Sequence, residues 1–181
     1  MTSLSQVLAF QDGPGASLPP GLSVLITDTL ASPGTFLLTH FLARGLKEGR
    51  NCVLLSFRDV VAHYEGILKK NVRRHFHAVL GQAQCWLCLQ SVQLSTFTRT
   101  GQFRFVDGLS ALTQGSTSWQ DILQQIKAAL DSFDSSTQPP LVIIDDITAL
   151  LWTGQSSVRD VIKLSSSLRV LSRDVSTLPS R

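Results

Sequence analysis

The chain has few cysteines, few charged residues and no long apolar run. Three cysteines among 181 residues are too few for a disulfide scaffold, so we expect a reducing, intracellular environment. No apolar run approaches the roughly 20 residues that a membrane-spanning helix needs. Residues 1–10 lack the basic start and apolar stretch of a secretory signal. We therefore expect a cytoplasmic protein with no membrane partner.

The composition is that of a folded protein. Hydrophobic residues make up 43% of the chain and charged residues 16%, which excludes a disordered chain. A length of 181 residues suffices for one domain with a sizeable core. The net charge of +3 is mild, so it permits contact with nucleic acid without arguing for it.

Apolar runs alternate with amphipathic stripes along the chain. The apolar runs predict strands at 22–26, 52–57, 103–107 and 141–146. The stripes predict helices at 33–48, 59–70, 118–133 and 157–173. Ser118 and Asp121 resemble a capping box at the start of the third of these helices. The alternation is typical of an α/β fold with a mostly parallel sheet and helices on both faces.

The predicted domain spans residues 21–175. Residues 1–20 are rich in Gly, Pro and Ser and are interpreted as a flexible N-terminal arm. Residues 71–91 show no clean period and are interpreted as an insertion. Residues 176–181 form a short tail where such a sheet would continue, so the domain is expected to be C-terminally truncated.

The turn before the first predicted helix lies where a phosphate-binding loop would lie. The pattern G-x-x-x-x-G-K-[ST] places Gly34 at the second glycine and Thr29 at the first. Thr35 stands at the lysine that neutralises the outer phosphates, and Phe36 at the hydroxyl that holds magnesium. We interpret this as a degenerate loop that binds no cofactor. The loop alone favours an ordinary strand-to-helix turn of an unrelated α/β protein.

Asp145 and Asp146 end the apolar run at 141–146. In a RecA-like nucleotide-binding fold, the Walker B aspartate occupies this position and reaches the magnesium shell. Carboxylates also commonly end parallel strands without any catalytic role. Without the lysine and the hydroxyl, the pair predicts no catalytic residue. Catalysis would also require a glutamate near the attacking water, and Glu48 and Glu65 both lie on predicted helix surfaces.

Two clusters lie in or beside the predicted insertion. The first consists of four potential zinc ligands whose order and spacing match no common zinc finger, so we expect no metal. Its members are His75, His77, Cys85 and Cys88. The second is the densest basic run of the chain and the best candidate for a surface that contacts RNA, although the run itself favours a solvated helix end. Its members are Lys69, Lys70, Arg73 and Arg74.

Several segments in a fixed order resemble the sixth subunit of the Elongator complex. The first reads Thr-Asp-x-x-x-x-Pro-Gly-Thr-Phe-Leu-Leu-x-His-Phe-Leu and covers 27–42. The others lie at 52–55, 62–64, 101–109 and 141–151. The resemblance covers about residues 20–172, and its specificity comes from the ordered set together with the missing lysine.

The resemblance implies a RecA-like, P-loop-degenerate accessory subunit without enzymatic activity. Its partners would be the fourth and fifth Elongator subunits in a hetero-hexameric ring. That ring binds tRNA and supports wobble-uridine modification, in the cytoplasm and with the nucleus as a second location. Two alternatives stay open on the residues alone: a weak or regulatory P-loop-type ATPase, and a stand-alone RNA-binding module.

Overall fold

The computed structural model describes residues 22–29, 34–74, 92–113, 118–133, 138–154 and 156–177, with the backbone alone in 70–74 and 172–177. In chain order the elements are α1 (Thr35–Lys47), β1 (Cys52–Ser56), α2 (Val61–Arg74), α3 (Leu94–Arg99), β2 (Phe103–Asp107), α4 (Gly108–Thr113), α5 (Trp119–Asp131), β3 (Leu141–Asp145), α6 (Ala149–Trp152) and α7 (Val158–Thr177).

The three strands form a parallel sheet in the order β2-β1-β3. Cys52 lies opposite Phe103 and Leu141, so the strands begin in register. All three are five residues long, and their carboxyl ends therefore form one flush edge. The predicted α/β class and parallel sheet are confirmed.

Helices cover both faces of this sheet. Alternate residues of β1 point to opposite faces, so each face contributes side chains to a core of its own. Cys52 and Leu54 belong to a core cluster that also contains side chains of α1, α2 and α3. Val53 and Leu55 belong to a second cluster, built with α4, α5, α6 and α7. Every residue of β1 is buried, which explains its continuous apolar run.

The first predicted strand is the main difference from expectation. Residues 22–28 form no ladder, and Thr29 makes one isolated bridge. Leu25 is 82% exposed, whereas Ile26 is partly buried and packs against the cluster of α1. Only the last residue of the run therefore finds an apolar partner, and the prediction of a buried strand at 22–26 was wrong for the described structure.

The remaining boundaries agree closely with the predicted ones. The capping box is present, since the Ser118 hydroxyl accepts from the Asp121 amide and the Asp121 carboxylate accepts from the Ser118 amide. Helix α2 continues to Arg74, so the first residues of the predicted insertion are helical, and α7 reaches Thr177. Residues 1–20 and 75–91 lie outside the described residues.

Three helices were not predicted. Helices α3 and α4 have six residues each and α6 has four, which is too short to show a helical period in the sequence. Among the described residues, no helix is both long and apolar enough to cross a membrane.

Candidate functional site at the carboxyl edge of the sheet

The carboxyl edge brings together the last residues of the three strands, Ser56, Asp107 and Asp145. In open parallel α/β sheets, ligands bind in the crevice outside this edge. Asp107 is exposed and caps α4 by accepting from the amide and hydroxyl of Ser110. These two hydrogen bonds, the amide first, lower the pKa of Asp107. The side chains that could bind a ligand therefore gather around Asp145.

Asp145 is buried, with 3% of its surface exposed, and its Oδ2 is bound by two side chains of the same chain. The Tyr64 hydroxyl donates to Oδ2 of Asp145. Because that proton is directed at Asp145, the Ser56 hydroxyl donates to the Tyr64 oxygen at 2.7 Å. Burial raises the pKa of Asp145, while Tyr64 and Arg58 act in the opposite direction. Burial and the bond to Asp145 raise the pKa of Tyr64, so the phenol keeps the proton that it donates.

Arg58 joins the two halves of the site. Its Nη2 lies 3.1 Å from Oδ2 of Asp145 and donates to the Thr35 hydroxyl at 2.8 Å. Its Nε donates to Asp59 at 3.0 Å. Burial lowers the pKa of Arg58, but the carboxylates of Asp59 and Asp145 outweigh it, and the net direction is upward. The guanidinium therefore links the start of α1 to the end of β3 as a permanent cation.

The turn that places Arg58 is held by the end of β1. The Ser56 hydroxyl accepts from the amides of Arg58 at 3.3 Å and Asp59 at 3.0 Å. Such a side-chain-to-backbone turn suits a serine that ends a strand. The sequence predictions missed both Arg58 and Tyr64. The available signal was the position of a cation two residues after a buried strand.

The turn at the phosphate-loop position is closed by an aspartate of the chain itself. The Gly34 amide, which precedes α1, donates to Oδ2 of Asp28 at 2.9 Å. A Cβ at Gly34 would lie 2.9 Å from Cγ2 of Ile26, so this close approach requires glycine. The first amides of a helix favour an anion, and here a carboxylate of the chain supplies it.

The predicted loop residues are thus divided between two environments. Gly34 and Thr35 enter the network of Asp28 and Arg58. Thr29 and Phe36 are exposed. Phe36 lies on α1, at the position where a magnesium-binding hydroxyl would be needed. The four positions therefore do not form one phosphate-binding loop.

The two adjacent aspartates have separate roles. Asp146 has a left-handed backbone (φ 57°), and its Oδ1 accepts from the Thr148 hydroxyl. The Asp146 carbonyl accepts from the Ala149 amide at 3.1 Å, which begins the turn into α6. Asp146 therefore shapes a turn, and Asp145 alone belongs to the network at the carboxyl edge.

The other predicted site residues lie away from this network or outside the described structure. Lys69 on α2 pairs with Glu65 at 3.0 Å. The backbone of α2 includes Lys70, Arg73 and Arg74, whose side chains are outside the description. His75, His77, Cys85 and Cys88 lie outside the described residues. Within the described ranges, no group of three or more His, Cys, Asp or Glu side chains could hold a metal ion.

The arrangement has a clear chemical consequence for phosphate binding. A nucleotide site needs a free cation for the phosphates and a free carboxylate for the metal. Here Arg58 is bound to Asp145, and Asp28 holds the amide before α1. A triphosphate at this turn would compete with the Asp28 carboxylate for the Gly34 amide and with Asp145 for Arg58.

Fold and site together define an α/β protein with a three-stranded parallel sheet and with Asp145 bound by Tyr64 and Arg58 at its carboxyl edge. A family model described as Elongation complex protein 6 matches residues 2–173, and the chain belongs to this family. It is therefore a subunit of the Elongator complex, as the ordered segments had indicated. No curated protein and no solved structure gave a match.

Proposed function

We propose that this chain is a non-catalytic structural subunit that joins the fourth and fifth Elongator subunits in a hetero-hexameric ring of RecA-like folds. The ring binds tRNA and supports wobble-uridine modification, in the cytoplasm and with the nucleus as a second location. Family membership supports the assembly role. The parallel sheet with Asp145 at its carboxyl edge supports the RecA-like fold.

We base the non-catalytic role on the contacts that Tyr64 and Arg58 make with Asp145. Magnesium binding at Oδ2 of Asp145 would compete with both partners. The residue at the lysine position, Thr35, is a neutral hydroxyl that already accepts from Arg58. The N-terminus of α1 supplies about 1 kcal/mol or less at an exposed site, which does not replace the charge of a lysine.

Titration of the purified chain with ATP and magnesium tests this proposal. We expect no binding in the micromolar range and no phosphate release above that of the buffer. Micromolar, magnesium-dependent binding with turnover would refute the proposal. If such turnover were lost in Asp145→Asn, the chain would be the ATPase of the first alternative.

Reconstitution tests the assembly role. We expect the chain to co-purify with the fourth and fifth subunits and to contribute to tRNA binding only in their presence. The ion pair between Lys69 and Glu65 already reduces the charge available to RNA on the described part of α2. Salt-sensitive tRNA binding by the isolated chain, weakened by replacement of Lys69, Lys70, Arg73 and Arg74, would instead favour the stand-alone RNA-binding module.

A further inference from the structure

Strand β3 has one neighbouring strand and one free edge. Among the described residues its only ladder partner is β1, which lies between β2 and β3. All five residues of β1 are buried, whereas in β3 only Ile143 and Asp145 are buried and the other three are partly exposed. A free edge of this kind carries backbone amides and carbonyls that can pair with a further strand.

The ladder between β1 and β3 shows which backbone groups face the free edge. The Leu141 amide donates to the Asn51 carbonyl at 2.8 Å, so the backbone of Leu141 is directed at β1. In a parallel ladder, the amide and carbonyl of one residue point to the same side, and successive residues alternate. Ile143 is therefore also directed at β1, while Val142 and Ile144 direct their amides and carbonyls to the free edge.

The topology assigns a position to residues 22–26, the apolar run that precedes α1. Helices α1 and α2 pack on the same face of the sheet, in the cluster that contains Cys52 and Leu54. The connection from β1 through α2 leads away from β3 to β2. Because such crossovers are right-handed, those on one face of a parallel sheet all shift in the same direction. A strand at 22–26 that leads through α1 to β1 must then lie on the β3 side, beyond the free edge of β3.

Two contacts already hold the end of this run beside that position. Helix α1 crosses β3 so closely that a Cβ at Gly45 would lie 2.7 Å from Cδ2 of Leu141. Ile26 packs against the core cluster that α1 shares with β3. The Asp28 carboxylate accepts from the Gly34 amide at 2.9 Å, at the start of α1. The run therefore ends near the carboxyl edge of the sheet, as a strand parallel to β3 requires.

We propose that residues 22–26 are a strap that closes on the free edge of β3 as a fourth parallel strand. Ile26 lies on the face of the α1 cluster, so alternation places Leu22 and Val24 on that face and Ser23 and Leu25 on the opposite one. In the open position described above, Leu25 is 82% exposed and Leu22 and Val24 are each 46% exposed. Closing removes this apolar surface from water and pairs the backbone groups at the edge of β3.

Hydrogen exchange of the full chain, followed residue by residue by NMR, tests the strap. It needs no partner subunit, so its result does not depend on the proposed function. The measured quantity is the protection of the Val142 and Ile144 amides, and the internal reference is the Ile143 amide, which is directed at β1. These two residues of β3 bond to strap residues of the opposite face, so the Val24 amide faces β3 in the closed strand and the Ser23 amide faces away. Val24→Pro therefore removes a ladder hydrogen bond, and Ser23→Pro is the matched control.

We expect the Val142 and Ile144 amides of the wild type to exchange at least about tenfold more slowly than unpaired amides. Val24→Pro should abolish most of this protection, whereas Ser23→Pro should change it by less than about twofold. The protection of the Ile143 amide should be the same in both variants, because its bond to β1 does not involve the strap.

Leu25→Asp is a second variant that leaves the open position intact, because this side chain is 82% exposed there. Closing would bring its charge against apolar side chains, so the protection of Val142 and Ile144 should fall about tenfold. Free exchange of these two amides in the wild type would overturn the inference, and so would protection that Leu25→Asp leaves unchanged. Protection that rises with protein concentration would assign the edge to a second copy of the chain and would overturn the inference as well.

Discussion

Replacement of Arg58 by alanine should destabilise the domain by an amount that depends on pH. Removing one partner of a fully buried ion pair costs about 3–5 kcal/mol, whereas an exposed pair contributes about 0–1 kcal/mol. The Asp145 side chain is 4% exposed but that of Arg58 is 37% exposed, so water partly screens the ion pair from the Arg58 side. We therefore expect Arg58→Ala to lower the free energy of unfolding by about 1–2 kcal/mol at pH 7. For a domain of this size the Tm would fall by roughly 2–8 °C.

The sign of the pH dependence follows from Asp145. Its pKa in the folded chain is raised above the ordinary value of 3.8 by burial, against the opposing effects of Tyr64 and Arg58. Such a carboxyl contributes most to stability below the unfolded pKa, and this contribution is lost as the pH rises through the folded pKa. Arg58→Ala removes one opposing effect and raises the folded pKa further. The variant should therefore approach wild-type stability near pH 4 and show its full deficit at neutral pH.

Urea unfolding followed by tryptophan fluorescence at pH 4.5 and pH 7 measures the loss of unfolding free energy in the variant and its dependence on pH. The control is a double-mutant cycle with Asp145→Asn, which removes the charge but keeps the size of the side chain. In the asparagine background, Arg58→Ala should cost little at either pH. An equal cost of Arg58→Ala at both pH values, or in both backgrounds, would refute the electrostatic account of the site.

Two further predictions concern packing around the sheet. A Cβ at Gly108 would lie 2.5 Å from Cδ1 of Phe57, so Gly108→Ala should lower the free energy of unfolding, measured in urea, by about 1–3 kcal/mol. The control is Gly66→Ala, where no atom lies within 4 Å of the added Cβ. This variant should be neutral or stabilising by up to about 1 kcal/mol. If both variants were neutral, the close approach at Gly108 would be wrong. Burial raises the pKa of the Cys52 thiol to about 12, so iodoacetamide at pH 8 should leave this residue unlabelled in the native chain and label it in urea, as mass spectrometry can show. Rapid labelling of Cys52 in the native chain would contradict the buried position of β1.

Periodicity predicted those elements that bury one clear face over several turns or a whole strand. The predicted boundaries of α1, β1 and β2 agree with the structure to within two residues. The capping box at Ser118 was predictable because both of its hydrogen bonds are local. In these cases the information lies within a few residues of the element that it specifies.

The elements and contacts that were missed depend on distant parts of the chain. The run at 22–26 has strand composition, but entry into a sheet requires a partner edge and a covering layer, which no local pattern reports. Arg58 reaches Thr35, 23 residues away, and Asp145 on another strand. A sequence places each of these residues at the end of an element, but only the folded sheet brings them together.

The carboxyl edge shows how an α/β domain can keep this architecture without a nucleotide. In a nucleotide-binding loop, the ligand supplies the anion before the helix and the protein supplies the cation. Here Asp28 supplies the anion at Gly34, and Arg58 supplies the cation that Asp145 and Thr35 share. Both the anion at Gly34 and the cation at Asp145 are therefore supplied by the chain itself. Such internal pairing of charges is what the proposed non-catalytic role requires.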